Sequence, residues 1–146
     1  MKIIAHRGNI NGRVPERENH PDYIMEAIRL GFDAEIDVWY KNGEFYLGHD
    51  NSTCSVEESF CLNPNIWCHA KNKDALCQLL KIGAHCFWHE NDSYTLTSKS
   101  IPWCFPGNWI SGGVTVVFSS RYETIIPSFI LGVCVDNPLQ WVNYEI

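Results

Sequence analysis

Two carboxylates, Glu35 and Asp37, lie two residues apart in the apolar segment 33–40, which predicts a buried strand. Side chains alternate along a strand, so both carboxylates point to the same face. Buried carboxylates repel each other unless a cation lies between them, and oxygen ligands suit a hard divalent ion such as Mg2+ or Ca2+. The pattern therefore predicts a metal site. The alternative is a structural network in which Arg7 or Lys71 neutralises the two charges.

Two histidines, His6 and His49, are predicted at strand ends beside Arg7 and Asp50. Imidazole titrates near neutral pH, so these two side chains can act as an acid and a base. The planar guanidinium of Arg7 matches two phosphate oxygens, although it could instead pair with Asp37 or with a glutamate of the following loop. Together these residue types predict cleavage of a phosphodiester.

A second group of histidines follows later in the sequence. His69 and Lys71 share a face of the next predicted strand, where Lys71 suits the same anion. His85 and His89 fall on one face of a strand predicted over 85–89. On a strand their spacing separates them by ~13 Å, which is too far for one zinc ion. We therefore interpret His89 as lining the substrate pocket.

The elements that must position these residues alternate between strand and helix, which is typical of a mostly parallel sheet. Strands are predicted at 2–7, 33–40, 44–47, 66–71, 85–89, 114–118 and 130–135. One helix is predicted to begin near Pro21 and end at Gly31, and another to run over 73–81 with Asn72 as its cap and Gly83 at its end. Irregular loops are predicted at 50–65 and 90–106, and a short helical connection at 119–127.

The dipeptide Asn42-Gly43 is a strong signal for a two-residue hairpin turn that pairs Lys41 with Glu44. Regular pairing beyond this turn would send His49 to the face opposite the two carboxylates. Because glycine tolerates a bend or a bulge, we expect the pairing to end at Gly48, so that His49 joins the carboxylates.

Composition limits the fold and the partners. The 146 residues, 45% of them hydrophobic, suffice for one domain spanning 1–146. The net charge of -6 argues against nucleic-acid binding, because phosphate polymers attract basic surfaces. No apolar run approaches the ~20 residues of a membrane span, and no basic and then apolar leader opens the sequence, so we expect a cytoplasmic protein. The seven cysteines include no C-x-x-C pair, and four of them are predicted to be reduced core residues: Cys68, Cys77, Cys86 and Cys134.

The order and spacing of several segments resemble the glycerophosphodiester phosphodiesterase family. These segments are His6-Arg7-Gly8, a degraded Pro-Glu-Asn segment within 15–19, Gly31 to Val38, and Gly48-His49-Asp50. A weaker match, 132–138, is similar to the last barrel strand of that family. The resemblance implies that His6 and His49 are the acid and base pair. It also implies that Glu35 and Asp37 bind the metal and that Arg7 contacts the phosphate.

Two departures from that family affect the expected site and fold. The family carries Glu-x-Lys on its third strand, whereas this chain has His69-Ala70-Lys71. We therefore expect the metal to be held by Glu35 and Asp37 with His69, Asp50 or water, or to differ in identity. A complete (β/α)8 barrel takes ~250 residues. We expect an α/β fold of the TIM type that is trimmed or incomplete, with mostly parallel strands, some helices missing or reduced to loops, and a flank covered by a second subunit in a homo-oligomer.

The residues predict metal-dependent cleavage of a phosphodiester in a small molecule by acid-base catalysis. The resemblance implies a glycerophosphodiester-like substrate. A second interpretation is a lyase resembling sphingomyelinase D, in which a hydroxyl of the substrate attacks and a cyclic phosphate leaves. A third is a non-catalytic module of the same fold that binds a phosphate ligand. A cation at the carboxylates favours the enzyme, whereas an Arg7 or Lys71 salt bridge in its place favours the module.

Overall fold

The computed structural model describes residues 1–142, which form ten strands and three α-helices. The strands are β1 (Lys2–His6), β2 (Asp33–Lys41), β3 (Glu44–Leu47), β4 (Cys54–Val56), β5 (Ile66–Ala70), β6 (Cys86–Phe87), β7 (Tyr94–Leu96), β8 (Pro102–Cys104), β9 (Val114–Val117) and β10 (Gly132–Val135). The α-helices are α1 (Pro21–Arg29), α2 (Glu58–Cys61) and α3 (Lys73–Ile82), and short 3-10 helices cover Arg121–Glu123 and Pro138–Gln140. Over residues 1–142, no helix has the length and apolar character needed to cross a membrane.

All ten strands belong to one sheet, in which β1 lies between β2 and β10. Parallel pairing continues from β2 to β5 and β6 on one side of β1, and from β10 to β9 and β8 on the other. The strands β3 and β4 extend β2 in antiparallel fashion, and β7 pairs antiparallel with β8. The predicted mostly parallel α/β sheet is therefore confirmed.

The sheet is open rather than closed into a barrel. In the described part of the chain no ladder joins β6 to β8. Instead, the Ser98 backbone N–H donates to the Cys86 carbonyl at 2.8 Å, and the Ser98 hydroxyl accepts from the Cys86 N–H at 3.0 Å. The turn before β8 thus satisfies the free edge of β6. Loops and a 3-10 turn, without α-helices, connect β8, β9 and β10, which agrees with the prediction of reduced helices.

The two longer helices begin and end at the residues that the sequence indicated. Pro21 opens α1, and Gly31, with a φ of 94°, follows its last turn. The Asn72 side chain caps α3 by accepting a hydrogen bond from the Ala75 N–H at 2.9 Å, and Gly83, with a φ of 78°, ends it. Both helices therefore have defined ends and lie against the strands that carry the site.

Apolar clusters pack on both faces of the sheet. The helices α1 and α3 cover one face, where Ile36 of β2 is fully buried. The other face carries Trp67, Phe87 and Trp103, and the rings of Phe87 and Trp103 stack with centroids 4.4 Å apart. Because side chains alternate along β2, burial of Ile36 against the helices directs the carboxylates of β2 toward the aromatic face.

Three segments differ from their predicted structure. The predicted loop 50–65 contains β4 and α2, and the predicted loop 90–106 contains the hairpin β7–β8. The hairpin forms because Trp103 of β8 is buried against Phe87, a distant contact that the local pattern does not reveal. The strand predicted over 85–89 is shortened to β6, because its outer edge meets a turn instead of another strand.

The cysteines are all free thiols. Cys68, Cys86 and Cys134 are buried as predicted, and burial raises the pKa of the Cys86 and Cys134 thiols. The prediction for Cys77 was wrong, because this residue lies on the exposed side of α3.

Candidate active site

The register of three parallel strands brings the first site residues together. His6 of β1 lies opposite Glu35 of β2, and Asp37 of β2 lies opposite His69 of β5. Parallel neighbours present their carboxyl ends at the same edge of a sheet. The four side chains therefore converge at that edge, on the face away from the helices.

Glu35, Asp37 and His69 form a compact cluster of three candidate metal ligands, with ligand atoms all within 4.8 Å of one another. His69 Nδ1 lies 3.3 Å from Asp37 Oδ1 and 3.6 Å from Glu35 Oε1. The carboxylates are nearly inaccessible, at 2% exposure for Glu35 and 1% for Asp37. Two buried carboxylates with an imidazole nitrogen between them form a donor set that fits a divalent cation.

The protonation of this cluster follows from its charges. Burial disfavours the charged form of His69, but the hydrogen bonds and charges of Asp37 and Glu35 outweigh it and raise the pKa of His69 to about 9. Burial likewise favours a neutral Asp37, yet the contacts with His69 and Arg7 lower the pKa of Asp37 to about 2. Without a metal ion, a protonated His69 therefore balances part of the negative charge.

The orientation of the His69 ring is fixed on its far side. Its Nε2 donates a hydrogen bond to the His89 backbone carbonyl at 2.8 Å. The ring also stacks on Phe87 with a centroid distance of 5.0 Å and an angle of 13° between the planes. These two contacts leave Nδ1 directed at the carboxylates, which is the arrangement found in histidine metal ligands.

Asn19 orients the Asp37 carboxylate, a role that the sequence reasoning missed. The Asn19 amide donates to Asp37 Oδ2 at 2.9 Å, and its oxygen accepts the Asp37 backbone N–H at 2.9 Å. Arg7 Nε and Lys71 Nζ lie 3.4 and 3.9 Å from the same carboxylate. Asp37 is thus held from several sides. The Asn19 backbone adopts a φ of 58°, which asparagine tolerates better than most residues.

His6 is paired with Asp136, the second residue that sequence reasoning missed. His6 Nδ1 donates to Asp136 Oδ1 at 2.8 Å, and its Nε2 lies 3.9 Å from Glu35 Oε2. Burial lowers the pKa of His6, but the Asp136 hydrogen bond and the charge of Glu35 raise it by more. The signal was available, since Asp136 directly follows the strand predicted over 130–135, at the same sheet edge as His6.

Arg7 forms ion pairs with carboxylates, which the sequence analysis gave as the alternative to a phosphate contact. Its Nη1 donates to Glu18 Oε2 at 3.1 Å, and its Nε faces Asp37. Its backbone N–H donates to Glu35 Oε2 at 3.2 Å. Glu18 also accepts from Arg13 at 3.0 Å, so the guanidinium is held in a network beside the carboxylates.

The bend at Gly48 brings His49 toward the other site residues, as expected. The ladder between β2 and β3 ends with Leu47, and Gly48 adopts a φ of 146°. A Cβ at this position would collide with the Asn51 carbonyl oxygen. His49 Nδ1 donates to Asp50 Oδ1 at 2.8 Å. Asp50 is corrected as a predicted metal ligand: its side chain is 86% exposed and contacts His49 instead of joining the three-residue cluster.

A cavity of about 160 Å³ joins most of these side chains. Its polar lining is formed by His6, His49, Arg7, His89 and the three-residue cluster. Its apolar lining is formed by Trp103, Phe105, Pro106, Val116 and Phe118. Both ring nitrogens of His89 are buried without a hydrogen-bond partner among residues 1–142. Lys71 does not line this cavity and contacts the site through Asp37.

Comparison with known proteins gave no match to any protein-family model, curated protein or solved structure. The geometry of the cavity is therefore the basis for assigning a function.

Proposed function

We propose that this protein cleaves a phosphodiester bond in a small molecule, with a divalent metal ion held by Glu35, Asp37 and His69. The observation that carries the proposal is the shared cavity, which His6 and His49 line together with the three-residue cluster and Arg7. These residues come from separate segments of the chain. Their convergence supplies a cation site, a phosphate contact and two titratable groups within one small volume, which is the set of parts that phosphodiester cleavage requires.

His6 and His49 would move the protons. His6 donates through Nδ1 to Asp136, so its Nε2 is the nitrogen that faces the cavity and exchanges a proton there. His49 donates through Nδ1 to Asp50 and lies nearer the solvent, with 40% of its side chain exposed. One histidine deprotonates the attacking water, and the other protonates the leaving alcohol. The metal ion, when bound, neutralises charge on the phosphate.

We infer that the substrate is small and that the fold is a trimmed relative of the (β/α)8 barrel. The cavity holds only about 160 Å³, which agrees with a small glycerophosphodiester-like molecule more than with a polymer. The seven parallel strands from β6 through β1 to β8 carry the candidate site at their carboxyl ends, where such barrels carry theirs.

The test is hydrolysis of an aryl phosphodiester and of glycerophosphocholine by wild type, with EDTA and then with divalent metals added back. We expect turnover that EDTA abolishes and metal restores. His49→Ala should lower it by about 10²- to 10⁴-fold, the usual contribution of a general acid or base. His20→Ala is the matched control, because His20 is exposed and does not line the cavity. A cyclic phosphate among the products would assign the reaction to a lyase.

A non-catalytic phosphate-binding module is the second candidate, and one observation favours it. His69, Arg7 and Lys71 all lie within 4.0 Å of Asp37, so the chain itself supplies positive charge to the buried carboxylates. Folded protein that shows no turnover with any metal, yet binds inorganic phosphate in an Arg7-dependent manner, would support the module and overturn the enzyme.

A further inference from the structure

The nitrogen donor at position 69 bears on which metal the cluster accepts. Glu35 and Asp37 supply only oxygen atoms, and Mg2+ and Ca2+ prefer sites made of oxygen. His69 adds an imidazole nitrogen at 3.3 and 3.6 Å from these carboxylates. Imidazole suits zinc, iron and other transition metals better than it suits magnesium or calcium.

The His69 nitrogen is prepared for binding by its surroundings. Its Nε2 hydrogen is donated to the His89 carbonyl, so a neutral ring carries its free electron pair on Nδ1. Stacking on Phe87 fixes the plane of the ring. A ring held in this way presents one nitrogen to the carboxylates in a fixed orientation. In metal sites, a hydrogen bond to the outer ring nitrogen orients histidine ligands in the same way.

The rest of the cluster leaves room for a ligand besides the protein. Asp50, the other expected oxygen ligand, lies outside the cluster, so residues 1–142 offer three donors. The three donors line the cavity. A site with three protein ligands and open positions toward a cavity is typical of catalytic transition-metal centres.

We propose that His69 makes this site selective for a divalent transition-metal ion that accepts nitrogen ligands, such as Zn2+ or Co2+, over Mg2+ and Ca2+. The inference rests on the proposed function, since it concerns the same three residues, and it replaces the expectation of a magnesium or calcium site. Metal binding can nevertheless be measured without substrate, so its outcome is independent of turnover.

The test is titration of the folded wild-type protein with Co2+ and Zn2+ in competition with Mg2+ and Ca2+. We expect one Co2+ per chain, displaced by Zn2+ and not by an equal concentration of Mg2+ or Ca2+. His69→Gln should weaken Co2+ binding by about 100-fold or more, because losing a ligand costs no less than losing its outer partner. His69→Glu should shift the preference toward Mg2+ and Ca2+.

Two controls separate this site from other metal-binding groups and from misfolding. Cys54→Ser combined with Cys77→Ser removes the accessible thiols and should leave Co2+ binding unchanged. In wild-type protein, the 15N resonance of His69 Nδ1 should move when Zn2+ saturates the site, a result that needs no variant.

Equal competition by Mg2+ or Ca2+, or a His69 Nδ1 resonance that does not move at saturation, would overturn the inference. Turnover supported by Mg2+ under those conditions would leave the proposed function standing. Selective Co2+ binding without turnover would support the inferred metal site and overturn the proposed enzymatic function.

Discussion

The two partly buried histidines of the site, His6 and His69, differ in the partner of their outer ring nitrogen. His6 donates to the Asp136 carboxylate, whereas His69 donates to the His89 backbone carbonyl. A carboxylate stabilises a protonated imidazole far more than a neutral carbonyl does. His6 is therefore suited to carry a proton during a reaction, and His69 is suited to bind a cation once its own proton has left.

The contribution of Asp136 to His6 can be measured. Asp136→Asn removes the negative charge that helps to raise the pKa of His6, so this pKa should fall, as followed by NMR titration. Turnover should fall by about tenfold or more, since a general acid or base contributes about 10²- to 10⁴-fold and loses part of that when its orienting partner is neutral. Unchanged kcat/KM in the variant would show that His6 is not the group that transfers the proton.

Asn19 should matter for metal affinity as well as for stability. Asn19→Gly removes the amide that holds Asp37 and tolerates the φ of 58°. Asn19→Ala removes the same amide but keeps a Cβ in that conformation. Both variants should lose about 10- to 100-fold in Co2+ affinity. Asn19→Ala should in addition be less stable than Asn19→Gly by about 1 kcal/mol in urea unfolding. If Asn19→Gly binds Co2+ like wild type, the amide only shapes the loop.

His85 predicts an acid-sensitive contribution to stability away from the site. It is buried, and its ring shares a hydrogen bond with the Thr97 hydroxyl at 2.8 Å. Burial, and then the charge of Lys99, lower the pKa of His85 from 6.5 to about 4. In the unfolded chain His85 therefore becomes protonated below about pH 6.5, whereas in the folded chain it stays neutral until about pH 4. The free energy of unfolding should fall across this window and change little from this cause below it.

The check is urea unfolding of wild type and His85→Gln between pH 4 and pH 7. The difference between the two proteins should depend on pH only in that window, with wild type losing more stability as the pH falls. Parallel curves for the two proteins would show that His85 is not the titrating group.

The bend at Gly48 links the hairpin β2–β3 to the site. Gly48→Ala would place a Cβ against the Asn51 carbonyl and should destabilise the protein by about 1 to 3 kcal/mol. Turnover should also fall, since His49 follows the bend. Gly43→Ala is the matched control, because Gly43 has a φ of 79° but open space around it, so only the backbone cost remains. Equal activity in both variants would show that the bend does not position His49 for catalysis.

Local sequence signals predicted the elements that depend on neighbouring residues. The pairing of Lys41 with Glu44, the cap at Asn72 and the alternation along β2 all follow from rules that act within a few residues. The hairpin β7–β8 was missed because Trp103 depends on Phe87, which lies far from it in sequence.

The site shows the same division between local and distant information. Strand ends and residue types located His6, Glu35, Asp37 and His69, because parallel strands share one functional edge. They did not locate the partners Asn19 and Asp136, whose roles depend on loop conformation and on the pairing of β1 with β10. Asp50 was misplaced because sequence alone does not give the direction of a side chain after a bend.

Among residues 1–142, no α-helix covers the region around β9. Phe118 is 64% exposed and Ile125 is 93% exposed, and both line one groove together with Val117. Apolar surface of this kind marks interaction sites. We expect a second copy of the chain to cover this flank, as the prediction of a homo-oligomer from the sequence proposed.

Light scattering after gel filtration checks this expectation. Wild type should elute as a dimer or a larger oligomer, and Ile125→Glu should shift it to the monomer because a buried unpaired charge opposes association. Leu80→Glu serves as the control, since Leu80 is an exposed apolar residue on α3, at the other side of the sheet. A wild-type monomer at all concentrations would rule out the second subunit.

The pairing of β1 with β10 also affects how the chain reaches its native state. Lys2 lies opposite Gly132, so the central ladder of the sheet joins segments separated by nearly the whole sequence. Contacts of such high sequence separation form slowly, because a long loop must close before they contribute. During synthesis, β1 can pair with β2 early, but its other edge stays unpaired until β10 emerges. Completion of the sheet is therefore expected to be late, with chaperone dependence highest in the interval before β10 is available.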